Sequence, residues 1–221
     1  MAADRAALLT LVLIGCGSFP ALGWAQEFSD LQSAKLVGRD RLEITPGYSR
    51  VTDSAEISPA YPIDGAAGDY QGPAQHEFGV QVATGVAERV DLRGRYGRVE
   101  GVNFVFFGPK FELVKDKVAL AVPVGFAFGQ GIESWRSWQA HPTLLFTAPV
   151  NRHVELNAAG KVPFSFSGGN TLVAFNFGGG FGDLDRWAIR PEVGFLFDPH
   201  QSGHHYTQLS VGVTLFAGKK R

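Results

Sequence analysis

Cysteine and methionine are almost missing from this sequence of 221 residues, which contains one of each. The only cysteine is Cys16, so a chain that lost residues 1–25 would hold no disulfide, no thiol nucleophile and no thiolate metal site. An excess of either charge is also missing, since 20 Lys and Arg stand against 21 Asp and Glu, which argues against nucleic acid as a partner. Finally, no run reaches the roughly eighteen consecutive apolar residues that predict a transmembrane helix.

Residues 1–25 have the pattern of a secretory signal peptide. A short start with one basic residue, Arg5, precedes the apolar stretch 6–15, and Gly23 and Ala25 supply the small residues before a cleavage site. We therefore predict export by the Sec pathway and cleavage after Ala25. A second interpretation stays open, because the letters LIGC ending at Cys16 resemble the bacterial lipobox, in which the cysteine is lipidated.

A hairpin pattern repeats between Glu77 and Phe216. Four short polar turns, which begin AERVDL, KDKVAL, NRHVEL and DLDRWAI, each lead into about ten residues that alternate between apolar and polar. This pattern is typical of an up-and-down antiparallel barrel whose strands cross a membrane. We predict an all-β fold, a transmembrane β-barrel of about ten strands, with an even number expected for a bacterial barrel. The strands are expected near 42–49, 77–84, 90–100, 102–114, 118–129, 138–149, 154–166, 171–181, 187–197 and 206–216.

The two faces of these strands differ in content. One face is apolar and almost without charge, as in Leu209, Val211, Val213 and Leu215 of the last strand. The opposite face combines small residues with acids and bases that could neutralise one another. Because a charge facing lipid at mid-depth costs roughly 2–4 kcal/mol, we assign the apolar face to lipid and the other face to a narrow lumen. The residues predicted to line or plug that lumen are Asp91, Arg93, Arg95, Lys110, Glu112, His141, Glu155, Lys161, Arg190 and Glu192.

The chain is expected to divide into four parts. They are the signal peptide 1–25, a polar periplasmic N-terminal extension 26–40, the outer-membrane barrel 41–217 and a basic tail 218–221. The short turns would face the periplasm, and the longer connections, such as 50–75, would face the outside.

The run WAIRPEVGF from Trp187 to Phe195, with the hairpin repeat and the signal peptide, resembles the small bacterial outer-membrane β-barrel proteins. The resemblance covers about Leu42 to Phe216. It implies a place in a Gram-negative outer membrane, contact with outer-membrane lipids and insertion by the barrel-assembly machinery. Members of the family include passive pores, lipid-modifying enzymes, proteases, adhesins and structural barrels, so the resemblance implies no single activity.

Five prolines fall inside the predicted strands. Each removes a hydrogen-bond donor from the ladder, and proline usually belongs at strand edges, strand starts or bulges. We expect bulges at these positions, or strands that extend beyond the bilayer. The five are Pro109, Pro123, Pro142, Pro163 and Pro191.

Candidate chemistry is sparse. His141 with Glu155, Asp91 or Glu192 would offer a base and an orienting carboxylate, with Ser165 or Ser210 as nucleophile. A salt-bridged interior that satisfies buried polar groups accounts for the same residues. The segment 198–205 contains three histidines and one aspartate, but neighbours in one loop seldom form a defined tetrahedral site. We expect no catalytic residue, no cofactor and no metal ion.

The predicted function is a structural barrel or a narrow passive channel for small solutes, without enzymatic activity. Two alternatives stay open. One is an outer-membrane enzyme that modifies lipid or peptide at the rim. The other is a lipid-anchored periplasmic barrel that binds an apolar ligand in its interior.

Overall fold

The described residues of the computed structural model are 29–53, 75–99, 101–129, 138–166, 172–197 and 205–218. The predicted signal peptide, Cys16, the tail beyond Gly218 and the histidine-rich segment up to residue 204 lie outside these ranges. Within the described ranges, no helix is long and apolar enough to cross a membrane.

Ten antiparallel strands make up the described chain, and three of them are interrupted once. The uninterrupted strands are β1 (Arg41–Asp53), β2 (Gln75–Ala87), β3 (Val90–Val99), β4 (Val102–Val114), β8 (Val173–Phe181), β9 (Trp187–Phe197) and β10 (His205–Gly218). The interrupted strands are β5 (Val118–Ala121 and Val124–Gly129), β6 (Trp138–Ala140 and Thr143–Pro149) and β7 (Val154–Lys161 and Phe164–Ser165).

The sheet closes on itself. Each strand pairs with the next one along the chain, and β1 pairs with β10 in a register that runs from Arg41 opposite Gly218 to Asp53 opposite Tyr206. Because the first and last strands pair, the described sheet has no free edge. The prediction of an all-β, up-and-down antiparallel barrel of about ten strands is confirmed.

Alternate side chains on each strand have opposite exposure. On β10, Gln208 and Thr214 are 1% and 0% exposed, whereas Leu209 between them in sequence is 59% exposed. The pattern inverts that of a water-soluble barrel, which buries its apolar side chains, and suits a barrel that faces lipid. Large apolar side chains exposed on the other strands include Leu92, Phe107, Phe146, Leu156, Phe177 and Ile189.

Pro123, Pro142 and Pro163 interrupt their strands without a shift in register, whereas Pro109 and Pro191 lie inside the uninterrupted β4 and β9. Between β5 and β6, Ala121 lies opposite Thr143 before the interruption, and Val124 lies opposite Ala140 after it. Two residues are skipped on each strand, so the two parts stay aligned. The expectation of bulges at these prolines is therefore wrong; the register shifts between neighbouring strands lie at Gly85/Ala87 and Glu112/Val114 instead.

Proline carbonyls keep the neighbouring strands bonded across these interruptions. Each accepts a backbone N–H from the next strand: Val122 to Pro109 at 3.0 Å, His141 to Pro123 at 2.9 Å, Val162 to Pro142 at 3.0 Å and Leu172 to Pro163 at 3.1 Å. The His141 carbonyl faces Pro123, which has no N–H to give, and accepts the Thr143 hydroxyl instead at 2.8 Å. Beside these prolines the ladder therefore keeps half of its backbone hydrogen bonds. The Thr143 hydroxyl replaces one of the bonds that are lost.

Candidate functional site: an occupied lumen

Most of the residues predicted to line the lumen are buried in the interior of the barrel. Asp91 and Lys110 are 0% exposed, Glu155 is 1%, and His141, Lys161 and Arg190 are 4%. Arg93 is 8% exposed, the Arg95 side chain is 12% exposed, and Glu192 accepts two backbone N–H groups inside the barrel. Glu112 lies at the turn end, where it accepts the Asp116 N–H at 2.9 Å and pairs with the exposed Arg89 at 3.9 Å.

Residues 29–38, which we call the plug, lie inside the barrel among these side chains. Ser29, Asp30 and the stretch from Leu31 to Ala34 are all buried. The sequence predicted a periplasmic extension for 26–40; of its described part, residues 29–38 lie inside the barrel, whereas Arg39 and Asp40 are exposed. The difference has a physical cause, since the polar groups of this segment find partners on the strand faces that line the lumen.

The first residues of the plug bind four strands near the middle of the barrel. Asp30 pairs with Lys161 of β7 at 3.0 Å and accepts the Asn176 side-chain amide of β8 at 2.6 Å. Glu192 of β9 accepts the N–H groups of Asp30 and Leu31 at 2.8 and 3.0 Å. Arg95 of β3 donates to the Ser29 carbonyl.

The following residues of the plug bind toward the turn end. Lys110 of β4 donates to the carbonyls of Ser33, at 3.2 Å, and of Lys35, and its ammonium nitrogen lies 3.6 Å from Asp91 of β3. Asp91 in turn accepts the Val37 N–H at 2.8 Å. At this end, charged side chains of the wall therefore bind main-chain atoms of the plug.

Two more contacts complete this end. The Ala34 N–H donates to the Thr147 hydroxyl of β6 at 2.7 Å. The Lys35 ammonium lies 2.7 Å from Glu155 of β7, which also accepts Arg190 of β9 at 2.8 Å.

The partners of the plug surround it. In a closed ring of ten strands, β3 and β8 are five strands apart, as are β4 and β9, so the members of each pair lie on opposite walls. The plug bonds to all four of these strands, and to β6 and β7 as well. It therefore spans the cross-section of the lumen instead of following one wall.

Small wall residues make room for the plug. Ala34 packs at 0% exposure against Ala119, Ala121, Leu145 and Ala159. Leu31 sits over two glycines that face each other across the β1–β10 pairing, Gly47 and Gly212. A Cβ at Gly47 would overlap the Leu31 Cδ1 atom, and a Cβ at Gly212 would lie 3.0 Å from it.

The plug turns into β1 at the turn end. Gly38 has a φ of 85°, and its carbonyl accepts the Gly85 N–H of β2 at 3.2 Å. A Cβ at Gly85 would overlap the Gly38 backbone, so this close approach needs glycine at Gly85. The register shift of the β2–β3 pairing falls at the same place, between Gly85 and Ala87.

His141 does not have the surroundings of a catalytic base. Its Nε2 atom lies 3.0 Å from the Gln139 side-chain oxygen, and its ring packs on Phe106 with centroids 4.3 Å apart. The carboxylates considered as its orienting partners bind other groups: Glu155 binds Arg190, Asp91 binds Val37, and Glu192 binds the start of the plug. The Ser210 hydroxyl is buried without a hydrogen-bond partner among the described residues.

Among the described residues, no group of three or more His, Asp or Glu side chains is arranged to hold a metal ion. Of the histidine-rich segment, His205 lies within the described ranges, where its ring stacks on Phe197 with centroids 5.9 Å apart.

The loop ends of the strands carry apolar side chains into the lumen. One cluster consists of Val51, Leu172, Ala174 and Leu196, with Tyr206 packed against it. A second consists of Val99, Phe104 and Phe106. These inward apolar residues were not predicted, because the alternation of apolar and polar residues along the strands assigned only polar and small side chains to this face.

Comparison with solved structures finds other β-barrels. The chain is similar to the NanC porin (TM-score 0.43, 6% identity, 79% of this chain and 98% of that one). It is also similar to the KdgM porin (0.40, 10%, 77% and 98%) and to the N-terminal β-barrel domain of Pseudomonas aeruginosa OprF (0.34, 10%, 81% and 98%). No protein-family model matches the sequence, and no curated protein sequence matches it. Likenesses with TM-scores this low assign neither a family nor an activity, and the barrel fold rests on the strand pairing itself.

Proposed function

We propose that this protein is a structural barrel of the Gram-negative outer membrane whose narrow passage for small solutes is blocked by its own plug. The observation that carries the proposal is the set of bonds from the plug to opposite walls of the barrel. Residues 29–38 reach β3 and β4 on one side and β8 and β9 on the other. A segment held from both sides leaves little of the cross-section free for solutes.

The apolar outer surface supports a place in a membrane. Apolar side chains face outward along the strands, while ion pairs such as Arg190 with Glu155 are buried. The barrel therefore offers its apolar surface to lipid and its charges to the interior. The lipid-anchored soluble barrel that binds an apolar ligand would need the opposite arrangement, and within the described ranges no contact of His141 favours the rim enzyme.

The test is conductance across a planar lipid bilayer. The mature barrel is compared with a variant in which residues 29–38 are replaced by a Gly/Ser segment of equal length, so that the chain length is unchanged. We expect the native chain to conduct weakly and the variant to open steps several times larger, because its lumen is no longer filled. A mobility shift between boiled and unboiled samples on a gel shows that each barrel has folded.

Three results would contradict the proposal. Equal conductance of the two folded proteins would mean that the plug does not block the passage. Large, steady conductance of the native chain would make it an open pore. Extraction of the native protein from membranes by carbonate would place it outside the bilayer.

A further inference from the structure

A cavity of about 50 Å³ remains between the plug and the wall. Its lining includes Asp30 and Gln32 of the plug and Gln81, Arg93, His141 and Lys161 of the wall. Because a cavity of about 10–15 Å³ holds one water, this space suits a few waters or one small polyatomic ion.

Arg93 is the unusual member of the lining. It is 8% exposed, and none of its three guanidinium nitrogens has a hydrogen-bond partner among the described residues. Its nearest acid is Glu43, at 3.5 Å from Nη1, which is close enough for charge attraction but makes no hydrogen bond. A buried guanidinium with five N–H donors normally binds a carboxylate or phosphate through at least two of them.

Gln81 adds a second donor to the same cavity. It is 7% exposed, and its Nε2 atom also has no hydrogen-bond partner within the described part of the chain. The amide and the guanidinium thus line one small space with N–H groups that no described residue accepts.

The remaining charges of the lining are engaged elsewhere. Arg95 donates to Glu77 at 2.7 Å, and Lys161 and Asp30 pair at 3.0 Å. Asp30 also accepts Asn176, so the single acid of the lining is neutralised. Each of the three cations of the lining therefore has an acid beside it, and the site is distinguished by its unbonded donors, not by an excess of charge.

We propose that this cavity binds a small oxyanion, a carboxylate or an inorganic phosphate, through Arg93 with Gln81 as second donor. An anion would accept the unsatisfied donors through charge-assisted hydrogen bonds, which are stronger than those that a water molecule makes. The site joins the plug to the wall, so an anion bound there stabilises the plugged barrel. The inference rests on the seated plug but not on whether the barrel conducts.

The experiment titrates the folded mature barrel with inorganic phosphate and, separately, with acetate, against chloride at equal ionic strength. Isothermal titration calorimetry gives the affinity, and the unfolding temperature gives an independent measure. We expect saturable binding of at least one of the two oxyanions, and which arm binds identifies its class. Arg93→Gln should weaken that binding by about tenfold or more, because a hydrogen-bonded charge is lost. The matched control is Arg186→Gln, since the side chain of Arg186 is 84% exposed in a turn, and it should bind like the native chain.

A second variant keeps the test valid if Arg93→Gln does not fold. Glu43→Gln removes the acid that competes for Arg93, so oxyanion affinity should rise by about threefold or more. The inference is overturned if neither phosphate nor acetate binds saturably, if folded Arg93→Gln binds as tightly as Arg186→Gln, or if Glu43→Gln gains no affinity. None of these results depends on conductance, so failure here and failure of the proposed function can be told apart.

Discussion

The two ends of the lumen are held by different forces. Toward the turn end, the wall is polar and the plug is fixed by groups such as Lys110 and Asp91, both with fully buried side chains. Toward the loop end, apolar side chains join the inward face and pack in clusters, as do Leu172 and Leu196 at 1% and 2% exposure. The comparison shows that one barrel interior can combine polar residues that bind the plug with apolar clusters.

The two halves should respond differently to mutation. A buried ion pair loses much of its stability when one partner is removed, because the other charge is left without compensation. An apolar cluster loses stability in proportion to the cavity that a truncation creates. Only changes in the polar half should also release the plug.

The largest effect is expected for Lys110→Met in the polar half. The change leaves Asp91 buried without its cation and removes the donor to the Ser33 and Lys35 carbonyls. We expect a loss of about 3–5 kcal/mol in the free energy of unfolding, measured by urea titration in detergent. The control is Arg186→Met, which breaks an exposed pair with Asp183 at 3.9 Å and should cost less than about 1 kcal/mol. Similar losses in the two variants would contradict the assignment of a buried pair.

Leu196→Ala tests the apolar half. Leu196 is 2% exposed within its cluster, so truncation should create a cavity and cost about 2–4 kcal/mol. Because the plug binds other residues, conductance should stay at the native level in planar bilayers. An opening of the passage in this variant would show that the two halves are coupled.

The smallest effect is expected for Gly47→Ala, which adds a methyl group where the Leu31 side chain packs against the wall. The new methyl group would overlap the Leu31 side chain, at a cost of about 1–3 kcal/mol. Leu31→Ala in the same chain should recover part of that loss, because it vacates the contested space. A double-mutant cycle in urea measures the coupling, and strictly additive losses would mean that Leu31 does not sit over Gly47.

The barrel itself could be predicted because its pattern is local. Alternation along each strand and charged turns such as Lys115-Asp116-Lys117 set the strand number and the two faces. The prolines did not destroy the pattern, since the interruptions at Pro123 and Pro142 match each other across the ladder and preserve the register. The sequence showed the prolines but not that Pro123 would face His141, next to Pro142, so that the two interruptions coincide.

The plug could not be predicted from the same pattern. Residues 29–38 have no period, and their bonds join positions far apart in sequence, such as Asp30 with Glu192 and Ala34 with Thr147. One signal did point to it. The small residues on the lumen face, among them Gly47, Ala121 and Ala159, leave space that the long lumen side chains do not fill.

The measurement that tests the occupied lumen most directly is the reactivity of a single cysteine at Ala34. The Ala34→Cys variant, with Cys16→Ser to remove the native thiol, is treated with a water-soluble maleimide in the folded barrel. Asp183→Cys serves as control, because the Asp183 side chain is 46% exposed in a turn whereas Ala34 is 0% exposed. We predict that the thiol at 34 is protected until the barrel is unfolded by boiling, while the thiol at 183 reacts at once. Equally fast reaction at both positions would contradict a plug held inside the barrel.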